Sequence, residues 1–241
     1  MAKTLEFGTI TSSIPKLTTL FSFFNLIYFM TLSFMYIIWD FDGTLFNTYP
    51  YIVSVINTIL KDNYDLNLDR NQIQDWCKIS LRFLFKKLES DFKVNKSEFQ
   101  NLFSKQYVVN LETQQQPYPG VEEVLQLFHR EGGKNFIVTH RGSKSLFRLL
   151  DYYKIETLFE KVITNEDRFP NKPDPASFLY LISENKIPRD EVLAVGDRAI
   201  DVQTANAIKI KSCYFNPEGK RDELADFNIK HLLELKGILN L

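Results

Sequence analysis

Tyr36-Ile37-Ile38-Trp39-Asp40-Phe41-Asp42-Gly43-Thr44-Leu45 decides how the rest of the chain is read. Four apolar, β-favouring residues run into an acidic one, a second acid follows two positions on, and Gly43-Thr44 turns the chain. Such a run reads as a buried strand delivering carboxylates to its C-terminal end, where open α/β sheets place their sites. On a regular strand Asp40 and Asp42 would share a face, and two carboxylates that close repel unless a positive group lies between them. Magnesium meets that need, because it prefers hard oxygen ligands and is usually held by one or two carboxylates with water and substrate phosphate. A bare Asp-X-Asp is more often a strand end capped by a turn, since Asp and Gly are common turn residues. Residues further along decide for a site.

Beyond the turn, Ile52, Val53, Val55, Ile56, Ile59 and Leu60 repeat at helical spacing, with Asn63 as a stop signal. Segments of the same character follow at 71–77, 81–88 and 96–110, the last with a stripe of Phe99, Leu102, Phe103 and Tyr107. Residues 49–116 therefore read as a small helical bundle inserted after the first strand. Gln114-Gln115-Gln116-Pro117-Tyr118-Pro119-Gly120 closes it as a punctuated linker. Two crossings, one near Asn47 and one at this linker, would allow the bundle to act as a lid over the site; a passive structural domain is the alternative.

The helix 121–130 is stopped by Gly132-Gly133, and Asn135-Phe136-Ile137-Val138-Thr139 reads as a second buried strand ending in a hydroxyl. Ser143 is the expected N-cap of the next helix, which runs to Tyr153. A hydroxyl and backbone N–H groups facing a helix N-terminus form a natural phosphate cradle. Residues 161–164 make a third strand, and the proline-framed loop 168–175 limits the conformations of Lys172, useful if its ammonium must neutralise an aspartate and a phosphate at once. A fourth apolar strand ends at Gly196-Asp197, and Asp201 lies one helical turn on, on the same face. Lys211 to Phe215 is a fifth strand, and the remainder, including 224–235, reads as peripheral structure. The fold class is α/β: a Rossmann-like parallel sheet from 35–48 and 117–241, with helices on both faces and the 49–116 bundle inserted. No Gly-x-Gly-x-x-Gly follows any strand, so a dinucleotide cofactor is not indicated.

Asp40-Phe41-Asp42-Gly43-Thr44-Leu45 resembles the first motif of the haloacid dehalogenase-like hydrolases, subfamily IA, in the phosphoglycolate phosphatase-like branch with a helical cap. The resemblance runs from about Met35 to the C-terminus, with Thr139 matching the second motif, Lys172-Pro173 the third, and Gly196-Asp197 with Asp201 the fourth. It implies magnesium-dependent hydrolysis of a small phosphorylated metabolite through an aspartyl-phosphate. Asp40 would be the nucleophile and Asp42 the acid and base; Thr139 and Lys172 would hold the phosphoryl group, with Gly43, Thr44, His140 and Arg141 at the phosphate or the substrate. The metal would sit on Asp40, Asp42, Asp197 and Asp201, the last supporting the metal shell or orienting Lys172. For His140 a structural role is preferred to substrate contact, and Arg141 is the better candidate for gripping an anion. Two departures stand out: Asn47 where relatives often carry Asp, and Lys209 where they commonly have Gly, which would place a side chain in a positive-φ turn. A sugar phosphomutase could use the same core. A dehalogenase fits less well with Asp42, Asp197 and Asp201 present, and a non-catalytic binding module less well with Asp40, Asp42, Thr139, Lys172 and Asp197 all in place.

Of 241 residues 44% are hydrophobic, ample for a core, and a net charge of -1 with scattered basic residues argues against a nucleic-acid partner. Cys77 and Cys213 lack any metal-ligand pattern and read as reduced thiols of a cytoplasmic protein. Residues 1–34 are a hydrophobic extension: no charge occurs from Leu17 to Trp39, and 20–30 is rich in aromatics. A membrane anchor needs about 20 apolar residues, yet Tyr36 to Trp39 belong to the first strand, and Asn25, Thr31 and Ser33 interrupt what remains. A signal peptide would need a small-x-small cleavage site, which is missing. The preferred reading is a start at Met35, which would bring the chain directly into the first strand, with no membrane partner.

Overall fold

β1 is Tyr36–Trp39, and its side chains alternate between two apolar layers. Ile37 and Trp39 enter one hydrophobic cluster and Ile38 another, the period-2 pattern of a strand covered on both faces. The computed structural model describes residues 34–241. The reading of residues 1–34 as an extension or anchor lies outside them, apart from Phe34, which is buried against Phe227. No helix among the described residues is long and apolar enough to cross a membrane.

After β1 come α1 (Tyr49–Tyr64), α2 (Arg70–Ile79), α3 (Leu81–Phe92), α4 (Lys96–Tyr107) and the short α5 (Leu111–Gln114). Side chains set the breaks: Asp69 accepts from the Gln72 N–H, Ser80 from Phe83 and Asn95 from Glu98, each capping a new helix. These helices bury Ile56, Ile59, Leu60, Ile73, Leu84, Leu88 and Phe99 in a cluster of their own, separate from the two that flank the sheet. The chain leaves and re-enters the sheet side by side. The Asn47 N–H donates to the Gln116 carbonyl and the Tyr118 N–H to that of Leu45, both at 2.9 Å.

The rest of the chain supplies α6 (Val121–Arg130), β2 (Lys134–Val138), α7 (Ser143–Tyr152), β3 (Phe159–Ile163), α8 (Ala176–Glu184), β4 (Val192–Gly196), α9 (Ala199–Ala207), β5 (Lys211–Phe215), β6 (Phe227–Ile229) and α10 (Leu235–Leu239). The sheet is parallel, in the order β3-β2-β1-β4-β5-β6. Helices α6, α7 and α10 cover one face, α8 and α9 the other. Strand order reverses between β1 and β4, which opens a crevice beyond their carboxyl ends. Trp39 is in register with Ile137 of β2 and Val195 of β4, so Asp40 emerges level with the residues leading to Thr139 and Asp197.

Three sequence expectations are answered here. The segment read as peripheral contains β6: three residues around Asn228, whose side chain exchanges hydrogen bonds with the Asp222 backbone, too short and polar to register as an apolar run. Ser143 is not the N-cap of α7. Gly142 occupies that position, and the Ser143 N–H and hydroxyl both donate to Glu166, a partner from beyond β3. Lys209 does adopt positive φ, at 59°.

Candidate active site

Asp40, just past β1, has a side chain only 1% exposed, with Oδ1 2.5 Å from Lys172 Nζ and 3.6 Å from Arg198 Nη2. Burial alone would raise its pKa, but the two cations outweigh burial and hold the carboxyl below its ordinary value. Lys172 Nζ donates to Asp40 and, at 3.0 Å, to the Val138 carbonyl oxygen, and it forms an ion pair with Asp201 Oδ1 at 2.5 Å. Burial works against the ammonium, Asp201 and Asp40 favour it, and its pKa ends above the ordinary lysine value.

Asp197 leaves β4 and Asp201 sits in the first turn of α9. One oxygen from each of Asp40, Asp197 and Asp201 lies within 4.8 Å of the others, and all three residues are buried. Burial first, then the charge of Asp40, pushes Asp197 up to about 8; Asp201 is raised as well, chiefly by burial. Asp40 Oδ2 is buried with no hydrogen-bond partner. Asp201 Oδ1 likewise has no hydrogen bond, so three crowded carboxylates, two of them with an orphaned oxygen, form an under-neutralised oxygen site, and that donor set fits a hard divalent cation such as magnesium. Gly43 (φ +87°) is part of the cradle, because a Cβ there would collide with Asp197 and Tyr49.

The Asp197 shift gives a pH signature. Its folded value of about 8 lies above the unfolded one, so the metal-free protein should lose stability as pH rises through that interval, because the unfolded state ionises where the folded state resists. A cation that binds the ionised cluster offsets this loss. The gain in Tm on adding magnesium should therefore grow between about pH 5 and 8, reaching about 5–10 °C near hundredfold saturation, where ligand linkage supplies about 2.7 kcal/mol. Thermal denaturation with and without magnesium at each pH reads it directly; no gain at the upper end would argue against the cluster as a metal site.

Asp42, expected among the metal ligands, has its carboxylate elsewhere. β1 ends at Trp39, so Asp42 lies beyond the regular strand, and the carboxylates clustered with Asp40 are those of Asp197 and Asp201. Asp42 Oδ1 accepts from Arg141 Nη1 at 2.6 Å. Arg141 was expected to grip the substrate, yet Nη2 donates to Gln115 Oε1 (2.8 Å) and Nε to Ser145 Oγ (3.0 Å). Its guanidinium also lies over the Phe41 and Tyr107 rings and its side chain is 3% exposed, so the fork of donors is used within the protein.

Thr139 follows β2, and its hydroxyl oxygen accepts from the Arg141 N–H at 3.1 Å. His140 Nε2 accepts from the Lys172 N–H at 3.0 Å. Burial, with Lys172 and Arg198 behind it, pushes the imidazole down to about 4, which keeps the ring neutral as an acceptor must be. His140 thus anchors the Lys172 loop. Thr44, expected at the phosphate, is wholly buried and donates a long 3.4 Å hydrogen bond to Asp197 Oδ1. Gly43 borders a separate cavity of about 300 Å³ with Asp197, Tyr49 and Asn216. Neither Gly43 nor Thr44 lines the cavity at Asp40.

That cavity, about 370 Å³, is bordered by Asp40, Asp42, Thr139, His140 and Arg198 from the sheet side. The inserted helices contribute Cys77, Ser80, Leu81, Arg82 and Tyr107. Arg82 is exposed and has no ion-pair or hydrogen-bond partner among the described residues. Sequence reasoning gave no role to Arg198, although three carboxylates sharing one lysine signal the need for a second cation. Gln115, in a linker read only for its prolines, carried no signal at all.

The reversal of strand order, with an acidic cluster and a buried lysine at that point, defines an α/β enzyme core of the phosphate-handling kind. A family model for the haloacid dehalogenase-like hydrolases matches residues 37–215, and the chain belongs to that family. A phosphoglycolate phosphatase of Cereibacter sphaeroides is 26% identical over 82% of this chain and 98% of its own length. Another, from Pseudomonas fluorescens strain Pf0-1, is 26% identical over 73% of this chain; the match spans 66% of that relative's length. The crystal structure of a predicted phosphoglycolate phosphatase from Haemophilus somnus superimposes with a TM-score of 0.75 at 24% identity, over 87% of this chain and 99% of the other. The hydrolase YfnB from Bacillus subtilis, solved bound to magnesium, does so with a TM-score of 0.64 at 18% identity, over 87% of this chain and all of the other.

Proposed function

We propose that the protein is a magnesium-dependent phosphatase that hydrolyses a small phosphate monoester through a phosphoryl group carried on Asp40. The observation that carries this reading is the setting of Asp40: a buried carboxylate on a cavity, kept ionised by Lys172 and Arg198 on one oxygen and left unpartnered on the other. An Asp40 oxygen attacks phosphorus as the ester P–O bond breaks, and the leaving alkoxide takes a proton from Asp42. Asp42 then takes a proton from water, the water oxygen attacks phosphorus, and the P–O bond to Asp40 breaks to release phosphate. Thr139 would orient the phosphoryl oxygens, while Lys172 and Arg198 offset their charge, since this chemistry is mainly positioning and electrostatics. Magnesium, held by Asp40, Asp197 and Asp201, would add charge neutralisation at the phosphoryl oxygens.

Residues 49–116 would serve as a cap over a core formed by 35–48 and 117–241, since they bury their own cluster and reach the sheet through paired crossings. The YfnB structure is described as revealing interdomain movement, which is consistent with such a cap. The names of the relatives favour phosphoglycolate, whose carboxylate would suit the unpaired Arg82 on the cavity wall. The proposed setting is the cytoplasm.

Phosphate release from a panel of phosphorylated metabolites tests the reading. Hydrolysis should require added magnesium, favour substrates with a second anionic group, and weaken for these on Arg82→Ala. Full activity in excess chelator, or transfer of phosphate to a second hydroxyl without release, would overturn it.

A further inference from the structure

Arg141 ties together the loop after β1, the start of α7 and both ends of the return from the inserted helices. It bonds Asp42 on the loop after β1, Ser145 in α7 and Gln115 on the return from the inserted helices, and it stacks on Tyr107 at the end of α4. Gln115 is fully buried, its Oε1 accepts from Arg141 and, at 3.4 Å, from the Tyr107 hydroxyl, and its Nε2 has no hydrogen-bond partner. A leucine would fill such a place without an orphaned donor, so the glutamine's contribution lies in its oxygen, which holds the guanidinium. Arg141, Ser145 and Tyr107 border the cavity with Asp42, and Asp42, the carboxylate of the set, has a side chain 25% exposed against 3% for Arg141. A guanidinium fork locked on its other donors by fixed acceptors leaves one direction for the carboxylate it holds.

We propose that Arg141 is a positioning residue for Asp42, and that Gln115 and Tyr107 make this positioning depend on how the inserted helices are seated. The inference rests on the acid and base role given to Asp42 above. Arg141 does not touch the reacting group; it fixes the approach of the residue that moves the protons. The insertion thereby reports its seating to the site through its own return leg, independently of any contact with substrate.

The test follows phosphoenzyme formation and decay by rapid quench, in Arg141→Met, Asp42→Asn and the double variant. An activated aryl phosphate, which needs little protonation of its leaving group, is one substrate; an alkyl phosphate is the other. Arg141→Met should slow turnover of the alkyl phosphate and decay of the phosphoenzyme by roughly 10²-fold, the size of a general acid and base contribution. Phosphoenzyme formation from the aryl phosphate, and KM, should change by less than about threefold, since transition-state positioning and ground-state binding separate in this way. In the Asp42→Asn background, Arg141→Met should add less than about twofold, because residues acting through one another are not additive. A raised KM in both backgrounds would make Arg141 a substrate ligand, and equal slowing of both steps would make it a packing residue; either result overturns the proposal. If Asp42→Asn alone has no effect, the role of Asp42 fails first and this inference falls with it. Should Arg141→Met not fold, Gln115→Leu keeps the pair with Asp42 and removes its anchor; decay should then slow by a factor on the order of 5, and unchanged decay would sever the link to the insertion.

Discussion

Asp40→Asn should bring turnover to background and yield no phosphoenzyme, whereas Asp42→Asn should retain the first step with an activated substrate and stall at the second. The two acids lie two residues apart, but their surroundings differ. Asp40 is buried among Lys172, Arg198, Asp197 and Asp201, and Asp42 borders the cavity on Arg141. Removing the nucleophile leaves no covalent route. Removing the proton carrier slows alkyl phosphate hydrolysis by roughly 10²–10⁴-fold, yet an activated aryl phosphate supplies its own good leaving group. Its phosphoryl group should accumulate on Asp40 in Asp42→Asn and be visible as a mass adduct on the peptide containing residue 40. An adduct on another residue, or none in Asp42→Asn while Asp40→Asn retains activity, would reverse the assignment.

Lys172→Met should be the most destabilising single change at the site. Its ammonium is 1% exposed and lies 2.5 Å from both Asp40 and Asp201, so the substitution leaves two buried carboxylates with Arg198 as their remaining cation. Breaking a buried ion pair from one side costs about 3–5 kcal/mol, or about 6–20 °C in Tm for a chain of this size. Asp40 supplies the sign of the pH dependence. Its folded pKa is held below the unfolded one, so its contribution is present above the unfolded value and fades as acid protonates the carboxyl. The deficit of Lys172→Met should accordingly be larger at neutral pH than below about pH 4, the ordinary range of an aspartate. Calorimetry at both pH values checks it, and a Tm unchanged at neutral pH would contradict the ion network.

Much of this arrangement is legible in the chain itself. A run such as Ile37-Ile38-Trp39 can only be a strand buried on both faces, and the apolar runs before Thr139 and Gly196 say the same of β2 and β4. Once such strands lie parallel, their carboxyl ends meet on one edge, so Asp40, Thr139 and Asp197 converge without any signal beyond their place at a strand end. Asp201 follows from helical spacing. What only the tertiary structure decides is the partner each side chain takes. Asp42 turns to Arg141 because the strand ends one residue before Asp40, Thr44 turns inward to Asp197, and Ser143 finds Glu166 instead of capping α7. Arg198 and Gln115 gain their roles from groups 158 and 26 residues away, respectively. A strand end follows from local pattern, because burial and backbone geometry act over a few residues. The partner of a buried polar group depends on which loops the packed sheet and the inserted helices bring within hydrogen-bond reach, and no local stretch of sequence contains that distance.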